Sequence, residues 1–220
     1  MSEITDTIPD DQKGRADGLY ERIFSRQPQE VTKKLKTACV GIAGLGGLGS
    51  VVAENLVRSG LGSLILVDDD LIEASNLNRQ RYRLDQIGLS KTDALIDNLE
   101  SFHPFTKLTG HQIRVDADNC ADLFMNCDAV AECFDNPESK AALITGLRRQ
   151  KPEMPIVAAS GLSGLGPVEA LKVDKRMENV YIVGDQLSDA RDGTGLFAAR
   201  VGIVASMQAH IIVRLLTNQQ

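Results

Sequence analysis

From residue 38 onward, the apolar positions of the chain switch repeatedly between two spacings. Short continuous apolar runs, typical of buried strands, alternate with longer segments in which apolar residues recur at helical spacing. The runs predict five strands, over Ala38–Ala43, Ser63–Val67, Lys107–Val115, Ala129–Cys133 and Ile156–Ser160. The segments between them predict helices over Leu48–Ser59, Ser90–Phe102 and Pro137–Gln150, and a short helix before the fourth strand. Strands that alternate with helices predict an α/β fold with a Rossmann-like, doubly wound and mainly parallel sheet.

The alternation changes after Gly161. Two strand-like runs, Pro167–Val173 and Val180–Val183, follow each other with no helix between them, and we expect them to extend the sheet in antiparallel fashion. The polar, glycine-rich segment Gly184–Gly195 predicts a mobile loop. A final helix is predicted over Leu196–Leu216, and because it is apolar on most faces we expect it to pack against the sheet.

Length and composition fit a single domain over residues 1–220. The 220 residues, 43% hydrophobic and 25% charged, suffice for one well-buried core. Residues 1–12 are polar and predict a mobile tail, followed by a helix over Gln12–Phe24. Because the start resembles no secretory signal and no apolar run is long enough to span a bilayer, we expect a cytoplasmic protein. The net charge of -6 argues against a general nucleic-acid binder.

The four cysteines, Cys39, Cys120, Cys127 and Cys133, form no CxxC pair. Structural zinc sites and thioredoxin-type redox sites are usually built on such pairs. The spacing therefore predicts reduced, mostly structural thiols and no zinc.

The stretch GIAGLGGLGS, Gly41–Ser50, is the first candidate for chemistry. Gly44, Gly46 and Gly49 satisfy GxGxxG between a predicted strand and a predicted helix, where backbone N–H groups at a helix N-terminus favour phosphate. Asp68 follows at the end of the second strand, where an acidic residue binds ribose hydroxyls. These residues alone fit a nicotinamide-dependent oxidoreductase equally well.

The next segment, VDDDLIEASNLNRQRYR, favours a triphosphate. Asn76 and Arg79 are three residues apart, so in one helical turn they would face the same phosphate. Lys91 opens the next predicted helix, and an arginine and a lysine near a glycine loop suit a triphosphate better than a diphosphate bridge. The alternative is a solvated basic face. The polar cluster comprises Asn76, Asn78, Arg79, Gln80 and Arg81.

Five segments, taken in their order and spacing, resemble the ThiF/MoeB family of adenylyltransferases, relatives of the ubiquitin-activating enzymes. They are GLGGLGS from Gly44, SGLGSLILVDDD from Ser59, SNLNRQ from Ser75, GLSKTDAL from Gly88 and CFDN from Cys133. The resemblance extends from about Arg22 onward, and the compact length is closest to a short ThiF subgroup of thiamine biosynthesis. It implies ATP-dependent adenylation of the C-terminal glycine of a ThiS-like, ubiquitin-like sulfur carrier, with release of pyrophosphate. It also implies a homodimer and a separate sulfur donor.

The same resemblance implies roles for individual residues. Asp68 would bind ribose, Asp135 would bind Mg²⁺ with Asn136 beside it, and Arg26, or alternatively Arg22, would reach the phosphates across the homodimer. The predicted catalytic residues are Arg79, Lys91, Asp135 and Arg26. The predicted nucleotide-binding residues are Gly44, Gly46, Gly47, Gly49, Asp68, Asp70, Asn76, Asn78, Arg79, Gln80, Lys91, Asp135 and Asn136.

Several alternatives stay open at this point. Asp135 is also placed to be the N-cap of the helix that starts near Pro137. GLSGLG, Gly161–Gly166, is small enough to line a channel for an extended carrier tail, and the loop Gly184–Gly195 is placed to close over it. Two rival functions are a nicotinamide-dependent oxidoreductase and a non-catalytic binding protein of the same fold.

Overall fold

The computed structural model describes residues 18–190 and 193–219. They form one seven-stranded sheet in the order β3-β2-β1-β4-β5-β7-β6. The strands are β1 Cys39–Ala43, β2 Ser63–Val67, β3 Lys107–His111, β4 Ala129–Glu132, β5 Ile156–Ala159, β6 Lys172–Met177 and β7 Val180–Gly184. The helices are α1 over residues 18–23, α2 Gln29–Thr37, α3 Gly49–Arg58, α4 Lys91–Glu100, α5 Cys120–Leu123, α6 Pro137–Gln150 and α7 Ala198–Leu216. Short 3-10 helices cover Ala74–Asn76, Leu84–Gln86 and Val168–Ala170.

The predicted fold class is confirmed. The first five strands in the sheet order, from β3 to β5, are all parallel to their neighbours. β1 lies at their centre, with Val40 opposite Leu64 of β2 on one side and Ala129 of β4 on the other. Buried residues of α3, α4 and α7 pack on one face of the sheet, and those around α5 and α6 pack on the other. Central strands covered on both faces need apolar side chains on both faces, which explains their continuous apolar sequence.

The end of the sheet differs in detail from the prediction. β6 is antiparallel to β7, as expected, but β7 lies parallel to β5 and separates β6 from it. The first predicted run was placed too early, because Pro167 has no N–H for a ladder and is followed by a 3-10 helix before β6 begins at Lys172. β3 also ends early, at His111 rather than Val115, where the Ile113 N–H turns back to the His111 carbonyl at 3.1 Å.

α7 is a long apolar helix that packs against one face of the sheet. It has 19 residues and a mean hydropathy of 1.3, so by length and composition it could span a membrane, whereas the sequence analysis expected no apolar run long enough to do so. The helix nevertheless packs on α3, β4 and β5. Its buried Gln208 donates to the carbonyls of Glu132 and Val157 at 3.0 and 2.9 Å, which fixes α7 across two strands.

α1 lies at the edge where the strands begin. Its Tyr20 hydroxyl donates to the Gly60 carbonyl at 3.2 Å, and the Tyr20 ring lies 4.7 Å from Phe24 and 5.6 Å from Phe105. Residues 1–12 and the first part of the predicted helix Gln12–Phe24 lie outside the described residues, as do residues 191–192 of the predicted loop. The aromatic contacts therefore place Arg22 and Arg26 near the amino ends of β2 and β3.

Candidate functional site

A cleft of about 630 Å³ opens at the carboxyl ends of β1, β2, β4 and β5. Open α/β sheets bind ligands at this edge, where the loops after neighbouring parallel strands converge. Ten of the residues predicted for the site line the cleft: Gly44, Gly46, Gly47, Asp68, Asp70, Arg79, Gln80, Lys91, Asp135 and Asn136.

The glycine loop forms the floor of the cleft. Gly44 has a positive φ of 90°, and a Cβ there would lie 3.0 Å from the Cys133 carbonyl oxygen, so a side chain is excluded twice. A Cβ on Gly47 would lie 3.1 Å from Val201 Cγ1. α3 begins directly behind the loop at Gly49, so its amino end, which carries positive partial charge, faces the cleft.

Gly49 has a packing role instead of the predicted nucleotide contact. A Cβ at this position would lie 1.8 Å from the Gly44 carbonyl oxygen, and Gly49 does not line the cleft. The third glycine of the pattern therefore allows the helix to approach the loop closely.

Asp68 and Lys91 form the charged centre of the cleft. Each side chain is only 7% exposed, and Lys91 Nζ lies 3.6 Å from Asp68 Oδ1 and 2.6 Å from Asp70 Oδ2. Asp68 also accepts the Leu45 N–H at 2.6 Å and the Asp70 N–H at 2.8 Å. Burial raises the pKa of the Asp68 carboxyl, while Lys91 and these two N–H groups oppose that rise.

Tyr82 ties the glycine loop to α4. Its buried hydroxyl donates to the Leu45 carbonyl at 2.7 Å and lies 3.4 Å from the Lys91 carbonyl. Burial raises the Tyr82 pKa, so the phenol stays a neutral donor. α4 itself begins under the N-cap of Ser90, whose hydroxyl accepts the Asp93 N–H at 3.4 Å. These contacts set where Lys91 enters the cleft.

Arg79 lines the cleft, but the two asparagines before it do not. Asn76 Oδ1 accepts the Glu73 N–H at 3.0 Å and so caps a 3-10 turn, while Asn78 Oδ1 accepts from Arg79 at 2.8 Å. The structure therefore makes these asparagines supports of the turn and of Arg79. Gln80 is 8% exposed, and its Oε1 has no hydrogen-bond partner among the described residues.

The turn after β4 presents an exposed Asp135 to the cleft. The N-cap of α6 is Asn136, which accepts the Ser139 N–H at 2.7 Å, so the capping role considered for Asp135 belongs to its neighbour. Because Asn136 makes the N-cap hydrogen bond, the Asp135 carboxylate is not used to cap α6.

Sequence reasoning missed a buried ion pair beneath this turn. Glu132 is fully buried at the end of β4, pairs with Lys140 of α6, and accepts the Phe134 N–H at 2.8 Å. Burial raises the Glu132 pKa, and Lys140 opposes that rise. The only sequence signal was an acidic residue at the end of an apolar strand, with a lysine one turn into the following helix.

The far wall of the cleft consists of small residues from two loops. Gly161, Leu162 and Ser163 of the predicted GLSGLG channel line it, opposite residues 188–190. A buried ion pair missed by sequence reasoning holds these loops together. Asp185 Oδ2 and Arg200 are 2.7 Å apart, and Arg200 also donates to the Gly166 carbonyl at 2.7 Å.

Asp185 makes the stability of this wall depend on pH. Burial by itself raises its pKa, but hydrogen bonds from the Ser188 and Leu187 N–H groups, with Arg200, lower the pKa to about 2. A carboxyl whose pKa falls on folding stabilises the protein above its ordinary value of about 4, and that contribution is lost as pH falls to about 2.

We therefore expect about 2 kcal/mol of unfolding free energy to be lost through Asp185 between pH 5 and pH 2. Urea unfolding of wild type and Asp185→Asn across this range measures it. The variant should lose less stability than wild type on acidification. Parallel curves for the two proteins would contradict the assignment.

Arg26 is not brought to the cleft of its own chain. It follows α1, at the opposite edge of the sheet from the glycine loop, and is exposed. Its predicted action across a homodimer stays a prediction.

Residues 20–220 match the ThiF family. The chain belongs to this family. The predicted family is thereby confirmed.

Curated relatives of this ThiF-family chain are named as ubiquitin-like modifier-activating enzymes and as adenylyltransferases. Ubiquitin-like modifier-activating enzyme 5 of Caenorhabditis elegans is 34% identical over 138 residues, which are 56% of this chain and 33% of the relative. Adenylyltransferase and sulfurtransferase uba4 of Aspergillus niger is 36% identical over 140 residues, 63% of this chain and 28% of the relative. The chain thus spans about a third of the length of the curated relatives it matches.

Solved structures share the fold over nearly the whole chain. The E. coli tRNA N6-threonylcarbamoyladenosine dehydratase TcdA, solved with ATP, gives a TM-score of 0.77 at 24% identity and covers 97% of this chain and 99% of its own. E. coli MccB with ATP gives 0.69 at 20% identity and covers 98% of this chain and 73% of its own. At these identities the likeness supports the fold.

Proposed function

We propose that this ThiF-family chain binds ATP and adenylates the C-terminal carboxylate of a ThiS-like, ubiquitin-like sulfur carrier in thiamine biosynthesis, with release of pyrophosphate. One observation carries the proposal. A single cleft joins the glycine loop, the buried Asp68–Lys91 centre and a wall of mainly small residues. The first two suit a nucleotide, and the third suits an extended tail that ends in glycine.

The nucleotide half of the cleft fits ATP by its donors and acceptors. The glycine loop at the amino end of α3 favours phosphate, and Asp68 at the end of β2 is placed for ribose hydroxyls. Arg79 and Lys91 supply positive charge on the same side of the cleft. The exposed Asp135 carboxylate fits Mg²⁺, which would neutralise charge on phosphate oxygens when bound.

In this reaction the carrier carboxylate attacks the α-phosphorus of ATP. An oxygen–phosphorus bond forms, the bond to the bridging oxygen of the β-phosphate breaks, and pyrophosphate leaves. A carboxylate is already an anion, so the step needs no general base. The task of Arg79 and Lys91 is to hold the phosphates and balance the charge that shifts toward the leaving group.

The tail half of the cleft favours a carrier that ends in glycine residues. Gly161 has a φ of 75°, and a Cβ there would lie 2.0 Å from Asp185 Oδ1, so no side chain can extend from the wall where the two loops meet. A wall without a side chain at this point leaves room for an extended backbone that ends in glycine. We further propose that Arg26 of a second copy of the chain completes the site. Within one chain, Arg26 lies at the edge of the sheet opposite the cleft and cannot reach it.

The predicted homodimer has a candidate surface on the outer side of α7. A groove of about 590 Å³ between α3 and α7 is lined by Val51, Asn55, Arg81, Ala198, Ala199, Gly202, Ile203, Ser206, Met207 and His210. Ile203 is 40% exposed there. A second copy would cover this apolar surface, and the N-terminal segment would contribute to the same interface.

We expect the wild type to sediment as a dimer at micromolar concentration and Ile203→Asp to weaken the dimer roughly 30-fold or more, because a charge would be buried in the interface. Val168→Asp is the matched control, since Val168 is 52% exposed and lies outside the groove. A wild type that is fully active as a monomer would contradict both the dimer and the role of Arg26.

Arg79→Ala should lower ATP–pyrophosphate exchange by about 10- to 150-fold, the value of one charged hydrogen bond. Its stability should stay within about 0.5 kcal/mol of wild type, since the Arg79 side chain is partly exposed and donates to Ser75 and Asn78 of its own turn. Arg83→Ala is the control, because Arg83 pairs with Asp85 and Asp97 away from the cleft. Equal exchange by the two variants would remove Arg79 from the catalytic set.

The decisive experiment incubates the chain with ATP, Mg²⁺ and candidate carriers, and follows both pyrophosphate exchange and the carrier's mass. A ThiS-like carrier should gain the mass of an adenylate. Reduction of NAD without exchange would favour the oxidoreductase, and ATP binding without exchange would favour the binding protein. Either result would overturn the proposal.

A second acceptor belongs in the same experiment. The structural match covers 99% of TcdA, whose name identifies a modified tRNA nucleoside as its substrate. A tRNA that carries N6-threonylcarbamoyladenosine should leave exchange unchanged if the carrier is the substrate. Exchange driven by the tRNA alone would replace the carrier in the proposal and would also overturn the expectation of no nucleic-acid partner.

A further inference from the structure

Two of the four cysteines lie in contact at the edge of the sheet opposite the cleft. Cys39 is the first residue of β1, and Cys127 precedes the neighbouring strand β4. Their sulfur atoms are 3.8 Å apart, although 88 positions separate the two residues in sequence. Cys39 is partly exposed and Cys127 is buried, so an oxidant in solution reaches Cys39 first.

The backbone holds the two thiols in place. The Cys39 N–H donates to Asp128 Oδ2 at 2.8 Å, and the Asp128 N–H donates to the Cys39 carbonyl at 2.8 Å. This pair of bonds joins the start of β1 to the residue next to Cys127. The sulfur atoms therefore need to approach by only about 2 Å to reach bonding distance, through side-chain rotation.

The two thiols differ in acidity in a way that assigns their roles. A hydrogen bond from the Cys127 thiol, and a weaker one from Ser63, lower the pKa of Cys39 to about 7 against the effects of burial and Asp128. The same contact with Cys39, together with burial, raises the pKa of Cys127. At pH 7 about half of Cys39 is therefore a nucleophilic thiolate, and Cys127 is the proton-bearing partner.

We propose that Cys39 and Cys127 are a peroxide-oxidised dithiol site, which closes to an intramolecular disulfide. The Cys39 thiolate attacks one oxygen of hydrogen peroxide, the oxygen–oxygen bond breaks, and the leaving hydroxide takes a proton to become water. Cys127 sulfur then attacks the Cys39 sulfenic sulfur, the sulfur–oxygen bond breaks, and the proton of Cys127 leaves with the oxygen as a second water. Two thiols lose two electrons and two protons, and peroxide is reduced to two waters.

The other two cysteines serve as internal controls. Cys120 sulfur lies 3.6 Å from the Ala117 carbonyl, and Cys133 sulfur lies 4.0 Å from Gln208 Oε1. Burial raises the pKa of both thiols. Neither is in contact with a second thiol within the described residues, so the same oxidant should leave them reduced.

The test treats the full chain with a small excess of hydrogen peroxide, removes the peroxide, blocks the remaining thiols with N-ethylmaleimide in denaturant, and maps peptides by mass spectrometry without reduction. We expect Cys39 and Cys127 peptides joined with the loss of two hydrogens, while Cys120 and Cys133 are alkylated. The Cys120→Ser/Cys133→Ser variant should form the same link. Cys127→Ser should leave Cys39 as a sulfenic acid that dimedone traps, and Cys39→Ser should react slowly.

Two further readouts separate the site from general oxidation. The alkylation rate of Cys39 should rise with pH around a midpoint of about 7. Wild type and Cys39→Ser should show equal ATP–pyrophosphate exchange before and after oxidation, since both thiols lie at the opposite edge from the glycine loop. Full alkylation of Cys39 and Cys127 after peroxide, links that involve Cys120 or Cys133, or over-oxidation of Cys39 beside a reduced Cys127 would each overturn the proposal.

Discussion

Lys91→Ala is expected to lower ATP–pyrophosphate exchange by about 100- to 1,000-fold, the range seen when a preorganised charge or donor is removed from a transition state. Lys91 is only 7% exposed and lies within 2.6 Å of Asp70 and 3.6 Å of Asp68. It is therefore the cation that the fold holds ready beside the glycine loop.

The same substitution should also cost stability. Removing Lys91 leaves the buried Asp68 carboxylate without its cation, and breaking a buried pair from one side costs about 3–5 kcal/mol. Exchange must for this reason be measured on protein shown to be folded by circular dichroism, below its melting temperature. The loss of catalysis is then separated from the loss of stability, because the exchange rate is measured on folded protein and stability is measured as the free energy of unfolding.

Lys91→Gln distinguishes charge from packing. The amide keeps much of the side-chain volume and a donor toward Asp68 and Asp70, so it should recover part of the stability without recovering exchange. Lys107→Ala, at the exposed start of β3, is the control for loss of a surface lysine. Exchange within twofold of wild type in folded Lys91→Ala or Lys91→Gln would exclude Lys91 from catalysis.

Arg200→Ala should be the most destabilising change in the far wall of the cleft. Arg200 is 7% exposed, and it bridges Asp185 and the Gly166 carbonyl. Its loss leaves Asp185 buried without a cation, so we expect unfolding to become easier by about 3–5 kcal/mol. For a chain of this size that corresponds to a fall in Tm of roughly 6–20 °C.

A double-mutant cycle tests whether the pair itself causes this loss. Asp185→Asn keeps an acceptor for the Leu187 and Ser188 N–H groups but removes the charge. Asp185→Asn combined with Arg200→Met should cost less than the sum of the single changes. Arg176→Ala is the control, because Arg176 is 55% exposed and should change stability by less than about 1 kcal/mol. A Tm change below about 2 °C for Arg200→Ala would show that the far wall does not depend on this pair.

Local pattern was sufficient for much of the fold and of the nucleotide half of the site. The apolar runs located β1, β2, β4 and β5 because these central strands are covered on both faces and must be apolar throughout. Gly44, Gly46 and Gly47 could be predicted to lie together in the cleft because the residues of one loop are contiguous in sequence. Lys91 and Asp68 were found because each stands at the end of an element that the same pattern predicts.

The errors arose where side-chain direction or sheet order decides the outcome. Asn76 and Asn78 have the right residue type and spacing for phosphate, yet their oxygens accept hydrogen bonds within the turn that carries Arg79. No local sequence signal predicted that β7 lies between β5 and β6, because a strand needs similar residues whether its neighbour is parallel or antiparallel.

By itself, then, the sequence determined the α/β class, the glycine loop, the Asp68–Lys91 centre and the family, because each depends on residues that are close together in the chain. Only the tertiary structure decided which side chains pair between elements, both at the cleft and at the opposite edge of the sheet. Asp185 meets Arg200, Glu132 meets Lys140 and Cys39 meets Cys127 because strand order and helix packing bring them together. Burial then gives each contact its strength, since a charge or thiol removed from water depends on the one partner within reach.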